Sequence, residues 1–169
     1  MTQVRIEQWT EHDLDLVVAM NAPELMTELG GPESDEKLVA RHKRYFTGWE
    51  RGTSWMFRIM VGDEKVGGVG YWTTEWQGEP VFETGWTVLG AYQGQGIASA
   101  AVRQVLAHAA VRRERRHVHA LPKVENAASN AVCRKVGFTL LGAVNGEYPP
   151  GNPIRSNDWV YDLGAGQPR

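Results

Sequence analysis

The glycine-rich run Gln93-Gly94-Gln95-Gly96-Ile97-Ala98 joins two segments of opposite pattern, and that junction limits the folds open to this chain. Before it, Val81 to Leu89 is apolar and β-prone. After it, Ser99 to Arg113 continues a pattern with apolar residues at 97, 101, 102, 105, 106 and 109, the spacing of a helix. A strand therefore passes through a tight turn into a helix N-terminus. There the first N–H groups lack partners, the helix dipole is positive, and missing side chains let an anion approach the backbone. The run reads as a phosphate cradle. A tight turn without a ligand is the plainer alternative.

With 169 residues and 42% apolar content, the chain can bury the core of one domain, expected to span residues 1–169 with its core over about 4–163 and a tail at 164–169. A net charge of −2 marks no nucleic-acid surface. Arg112, Arg113, Arg115 and Arg116 form a basic cluster at the predicted end of the glycine-run helix, where cations offset the dipole. It reads as a solvated helix end, with contact to a ligand's outer phosphate as the alternative. The single cysteine, Cys133, excludes an intrachain disulfide and a cysteine-rich metal site. His117 and His119 alternate along one strand face, but two ligands make no metal site, so no metal is expected. No apolar run approaches membrane-spanning length, and the first residues lack a signal-peptide core. The expectation is a cytoplasmic protein without membrane contact.

Val4 to Trp9 reads as a strand. Thr10 then caps a helix through about Met20, with Asp13 in its first turn. An irregular stretch holds Leu29-Gly30-Gly31-Pro32, and Ser34 caps a second helix whose inner stripe is Leu38, His42, Tyr45, Phe46 and Trp49. Trp55 to Val61 and Val66 to Thr74 form a hairpin, followed by a polar loop, Trp76 to Pro80, and the strand from Val81. His117 to Leu121 is a short central strand. Asn126 to Val136 is a helix stopped by Gly137, and Phe138 to Leu141 and Trp159 to Leu163 are strands around a long turn. The order β-α-α-β-β-β-α-β-α-β-β predicts a mixed α/β (α+β) domain with one parallel crossover.

The cradle has two candidate owners. A dinucleotide fingerprint starts with Gly94-x-Gly96, and Glu114 stands about twenty residues on. That motif opens the first βαβ unit, however. Here a meander of strands precedes it, Ala98 and Ser99 leave the third glycine unmatched, and Glu114 sits in an arginine cluster. The second reading also accounts for the later half of the chain. Gln93-x-x-Gly96-x-Ala98 resembles the acyl-CoA pyrophosphate loop of the GNAT (Gcn5-related N-acetyltransferase) superfamily. Asn126-Ala-Ala-Ser129-Asn130, followed by Gly137-Phe138, resembles that superfamily's second cofactor motif. The Ser-Asn pair and Glu83-Thr-Gly-Trp-Thr-Val are most similar to the RimJ/RimL-like branch, and Leu29-Gly30-Gly31-Pro32 adds a weaker match.

The resemblance implies a twisted mixed sheet of about six to seven strands flanked by about four helices, with splayed central strands that bind acyl-CoA. It implies acetyl-CoA as co-substrate, with its pyrophosphate on the backbone of Gln93, Gly94, Gln95, Gly96, Ile97 and Ala98. Asn126 and Asn130 would bond the pantetheine arm, and the N–H of Val88 or Leu89 would face the thioester carbonyl. Helix capping is the plainer role for Asn126. The implied reaction is direct attack by a primary amine on the thioester, the amine coming from a protein N-terminus or a small molecule. Glu83 is the candidate base; a surface strand residue paired with a lysine is the alternative. Glu75 and Glu79 steer substrate or do nothing. Many members place a tyrosine four residues before the Gly-Phe pair, where this chain has Cys133, so Ser129 is preferred as proton donor. Cys133 and Tyr148 stay in the catalytic set as weaker candidates, Cys133 also reading as a small buried hydrophobe.

Acceptor specificity in this family comes from the first two helices, the hairpin loops and the last turn. Those segments hold Met26, Tyr45, Phe46, Trp49, Trp72, Trp76, Trp86 and Tyr148. Phe46 and Trp49 read as core, while Trp72 and Trp76 stay open. A module that binds acyl-CoA without turnover is the alternative function. Acceptor identity, acyl-chain length and oligomeric state, a homodimer included, are not legible in one chain.

Overall fold

The structure is a computed structural model that describes residues 3–164. Residues 165–169, most of the expected tail, lie outside the described residues, as do residues 1 and 2. A seven-stranded sheet runs in the order β1-β2-β3-β4-β5-β7-β6. Its strands are β1 (Val4–Gln8), β2 (Ser54–Val61), β3 (Glu64–Trp76), β4 (Glu79–Val88), β5 (His117–Ala120), β6 (Thr139–Glu147) and β7 (Pro153–Asp162). Every pairing is antiparallel except β4 with β5. The helices are α1 (Leu14–Met20), α2 (Pro23–Met26), α3 (Asp35–Arg51), α4 (Ile97–Arg112) and α5 (Ala127–Val136).

Each longer helix begins where local chemistry dictates. Thr10 forms a capping box with Asp13 over a 3-10 turn that feeds α1. The Ser34 hydroxyl accepts from the Lys37 N–H at the start of α3. The helix α4 buries the stripe its spacing predicts: Ile97, Ala101, Val102, Val105, Leu106 and Ala109 are all under 5% exposed. They pack on Tyr71, Phe82 and Val118, with Trp55 stacked on Tyr71 at 4.8 Å between centroids. A second cluster, Trp9, Leu16, Val17, Leu38 and Met56, joins α1 and α3 to the sheet.

Two stretches expected as loops are strand. Between Trp76 and Pro80 only Gln77 and Gly78 turn, both at positive φ (51° and 83°), as a two-residue hairpin demands. Trp76 and Glu79 are already register partners. The long C-terminal turn likewise shrinks to Tyr148–Asn152, because β6 and β7 pair from Thr139↔Val160 out to Glu147↔Pro153. Cross-strand pairing overrides the turn-forming composition of both stretches.

Asp13 ties α1 to the sheet. It is fully buried, with Oδ2 3.0 Å from Arg58 Nη1 and Oδ1 2.9 Å from Lys65 Nζ. Burial alone would raise its pKa, but Lys65, the Thr10 N–H and Arg58 outweigh burial and hold it below the ordinary value. A lowered carboxylate pKa gives stability that is present above the unfolded value of about 3.9 and lost as pH falls through the folded one. Asp13→Asn should therefore destabilise the fold by about 3 kcal/mol at pH 7 in urea denaturation, with the gap to wild type closing below about pH 4.

Candidate active site

A cleft of about 1050 Å³ opens where β4 and β5 part. The two strands pair only at Phe82↔Val118 and Glu83↔His119. Beyond Glu83 the β5 side of β4 has no strand partner. The Leu89 N–H donates to the Val66 carbonyl at 2.9 Å, so it cannot face a ligand carbonyl as the sequence suggested. Antiparallel ladders alternate, so Val88, one residue earlier, turns its N–H and C=O away from β3 and toward the gap. Of the two expected donors, Val88 has the required orientation.

At the mouth of the cleft, Gly94 and Gly96 have φ of 76° and 77°, a conformation side chains disfavour. The helices α3 and α5 are capped by side chains, but α4 starts at Gly96 with none. The first-turn N–H groups of Ile97, Ala98 and Ser99 thus have no intrahelical acceptor. A Cβ at Gly96 would stand 3.7 Å from Lys135 Nζ, which puts an ammonium from α5 beside the same turn. Gln93, Gly94, Gly96, Ile97 and Ala98 line the cleft, whereas Gln95 is exposed and does not. Gln93 bonds the Val88 carbonyl at 3.0 Å and braces the loop. Lys135 was missed because its signal, a lysine two before Gly137, gains meaning only once α5 lies beside α4. Bare N–H groups, left-handed glycines and a cation fit the pyrophosphate of a coenzyme A.

The opposite wall comes from α5. The Asn126 side chain accepts from the Ser129 N–H at 3.1 Å, the capping role. Both residues line the cleft. Asn130 does not, and its amide is consumed by structure. Nδ2 donates to the carbonyls of Lys123 (3.0 Å) and Asn126 (2.8 Å), while Oδ1 accepts from Asn157 (2.9 Å) and Trp159 (2.8 Å). Its expected place on the pantetheine arm is corrected to a tie between α5 and β7. Cys133 is fully buried in the core and does not line the cleft, and burial pushes its thiol up to about 12. Its burial and its raised proton affinity both disfavour a catalytic role there.

Glu83 lies on β4 and lines the cleft. Burial raises its carboxyl above the ordinary range, partly offset by a hydrogen bond from Trp72, its register partner on β3. Among the described residues no salt bridge to Glu83 is found. Glu75 and Glu79 are exposed at the hairpin end. Tyr148 is 39% exposed and lines the far rim with Arg41 of α3, whose proton affinity it helps to raise. Arg41 in turn meets Glu33 at 2.6 Å and Tyr45 at 3.3 Å. Glu147, not singled out in the sequence, also lines the cleft, with Oε2 accepting the Gly151 N–H at 3.1 Å.

The arginine cluster sits at the other end of α4, about 24 Å from the glycine turn for sixteen residues. It touches no phosphate site, and it is more than a solvated end. Arg115 Nη1 clamps the carbonyls of Thr74 and Val81 at 2.6 and 2.8 Å, and Arg112 lies over the Trp55 ring. Among the described residues no group of three metal-ligating side chains converges, and no helix is long and apolar enough to cross a membrane.

A sheet parted in this way, with a bare helix start at its mouth, is the architecture of a coenzyme A-dependent acyltransferase. Residues 3–139 match the family model described as acetyltransferase (GNAT) domain. RimL, a ribosomal L7/L12 alpha-N-protein acetyltransferase solved with coenzyme A, is similar with a TM-score of 0.82 and 26% identity, over 98% of this chain and 97% of that one. An acetyl transferase from Salmonella typhimurium that modifies the N-terminal serine of 50S ribosomal subunit protein L7/L12 aligns at 0.79 and 24%, over 96% of each chain. The aminoglycoside acetyltransferase AAC(6')-Ib, in complex with coenzyme A, shares the fold at 0.76 and 19%, over 95% of each. Comparison with curated protein sequences gives no match. The chain belongs to the acetyltransferase (GNAT) family and is an acetyl-CoA-dependent N-acetyltransferase.

Gly96→Glu should abolish the thermal stabilisation by acetyl-CoA, since it adds bulk and charge to the cradle and competes for Lys135. In the folded protein Cys133 should resist iodoacetamide at pH 8 and react only after denaturation, as read by mass spectrometry.

Proposed function

We propose that Glu83 and Ser129 carry the proton transfers of this acetyltransferase, and that its acceptor is the primary amine of a protein N-terminus or a small molecule. The observation that carries the reading is Glu83 itself, a cleft-lining carboxylate raised by burial on the strand whose free edge runs on to Val88. When bound, acetyl-CoA supplies the activated acyl carbon. The glycine turn and Lys135 hold its pyrophosphate, and the free edge of β4 lies along its pantetheine arm. An N–H on the gap-facing edge of β4 nearer Glu83, that of Thr84 or Trp86 by the same ladder parity as Val88, withdraws charge from the carbonyl oxygen. An α-amine with pKa about 7.7–8.0 arrives largely protonated at neutral pH, so Glu83 takes its proton, helped by a raised pKa. The Ser129 hydroxyl, on the other wall, donates a hydrogen bond to the departing sulfur. Tyr148 closes the acceptor rim. We read the chain as a protein of the cytoplasm and as a single working domain, the latter on the one sheet that carries the seven described strands.

The testing experiment is acetyl-CoA turnover by thiol release with three acceptors: a peptide beginning with serine, spermidine and kanamycin. Turnover with the peptide alone would place the acceptor among protein N-termini, and turnover with either small amine would place it among metabolites. Tight acetyl-CoA binding with no turnover on any amine would leave only a binding module. Glu83→Gln should lower kcat by about 100-fold at pH 7 and by much less near pH 9.5, where the amine deprotonates itself. In the wild type the rate should fall as pH drops through the raised Glu83 pKa, because the base becomes protonated. An equal loss at every pH would exclude the base role.

A further inference from the structure

We propose that Trp76 positions the acceptor amine, and that a buried His119–Asp158 pair holds its indole in place. Asp158 on β7 is 3% exposed and spends both oxygens on side chains from other strands. Oδ1 lies 2.6 Å from His119 Nδ1, on β5. Oδ2 accepts the Trp76 Nε1–H at 3.0 Å. The sheet order places β4 and β5 between β3 and β7, so Trp76 reaches across two strands to make that bond. Its ring comes to 6.2 Å from the His119 ring while its remaining surface lines the cleft.

This anchor sits beside the reacting region. Trp72, Glu83 and His119 are successive register partners across β3, β4 and β5, and the Trp76 ring stands next to the last of them. A carboxylate beside indole faces draws an alkylammonium by charge and by cation–π attraction. Donating Nε1–H to the buried Asp158 carboxylate leaves more electron density on the Trp76 ring and strengthens that attraction. Fixing the ring also removes rotamer freedom that acceptor binding would otherwise have to quench. No role in the acetyl-CoA half of the cleft follows, because the glycine turn lies at the opposite end of β4.

The inference rests on the assignment of Glu83 as the base. Trp76→Phe keeps a ring and removes the N–H, and Asp158→Asn weakens the anchor. Steady-state kinetics with the serine peptide, spermidine and kanamycin should show KM for the amine raised about tenfold in W76F, with kcat changed far less and acetyl-CoA affinity unchanged. D158N should raise the same KM, and the double variant should be no worse than W76F alone, since Asp158 acts through Trp76. Additive effects, or a loss of acetyl-CoA affinity in W76F, would overturn the proposal. W76F decides alone if D158N does not fold. A second readout needs no turnover. The indole N–H signal missing from W76F, in a nitrogen-labelled spectrum of the wild type, should shift on adding an acceptor amine and stay still with acetyl-CoA. A shift without turnover would keep this inference and sink the activity reading. Turnover with unchanged W76F kinetics would do the reverse.

Discussion

Two register pairs join β4 to β5, Phe82 with Val118 and Glu83 with His119, and everything functional follows from the ladder stopping there. A parallel pair that continued would bury the edge of β4 in hydrogen bonds. Because it stops, Val88 keeps an N–H aimed at open space, and the space is large enough for an extended ligand. The same parting puts the start of α4 at one end of the cleft and the Trp72–Glu83–His119 row at the other. Cofactor and acceptor thus meet from opposite ends of one strand.

Keeping a sheet open at its centre requires ties elsewhere. Asn130 saturates its amide with carbonyls of its own turn and with Asn157 and Trp159, which locks α5 to β7. Asp158, on the same strand, reaches back to Trp76 and so spans the opening from the other side. Arg115 pins the ends of β3 and β4 through their carbonyls. Buried polar groups so fully satisfied add rigidity and specify one arrangement. The bulk of the stabilisation comes from the apolar stripe of α4 on Tyr71, Phe82 and Val118.

Chemistry in the cleft depends on unequal burial. Glu83 loses solvent and gains only a neutral indole donor, so its proton affinity rises toward what a base needs. Asp13 is fully buried but meets two cations and moves the other way. One residue type thus serves as a reactive group in one place and a structural anchor in another. Cys133, also fully buried, has its thiol pushed up to about 12.

The sequence by itself determined the order of elements, the bare glycine turn, the buried face of α4, the cap of α5 and the candidacy of Glu83. These are local: they depend on residues within a turn or two of one another, where spacing and capping chemistry act. Only the tertiary structure decided that Val88 and not Leu89 faces the gap, because ladder parity is set by the register of β3 against β4. It likewise turned Asn130 and Cys133 from cofactor and catalytic candidates into tie and core, and converted two glycine- and proline-rich loops into hairpins. The contact between Trp76 and Asp158 joins residues 82 positions apart. No pattern along the chain can announce such a pair, since folding alone brings their strands to the same end of the sheet.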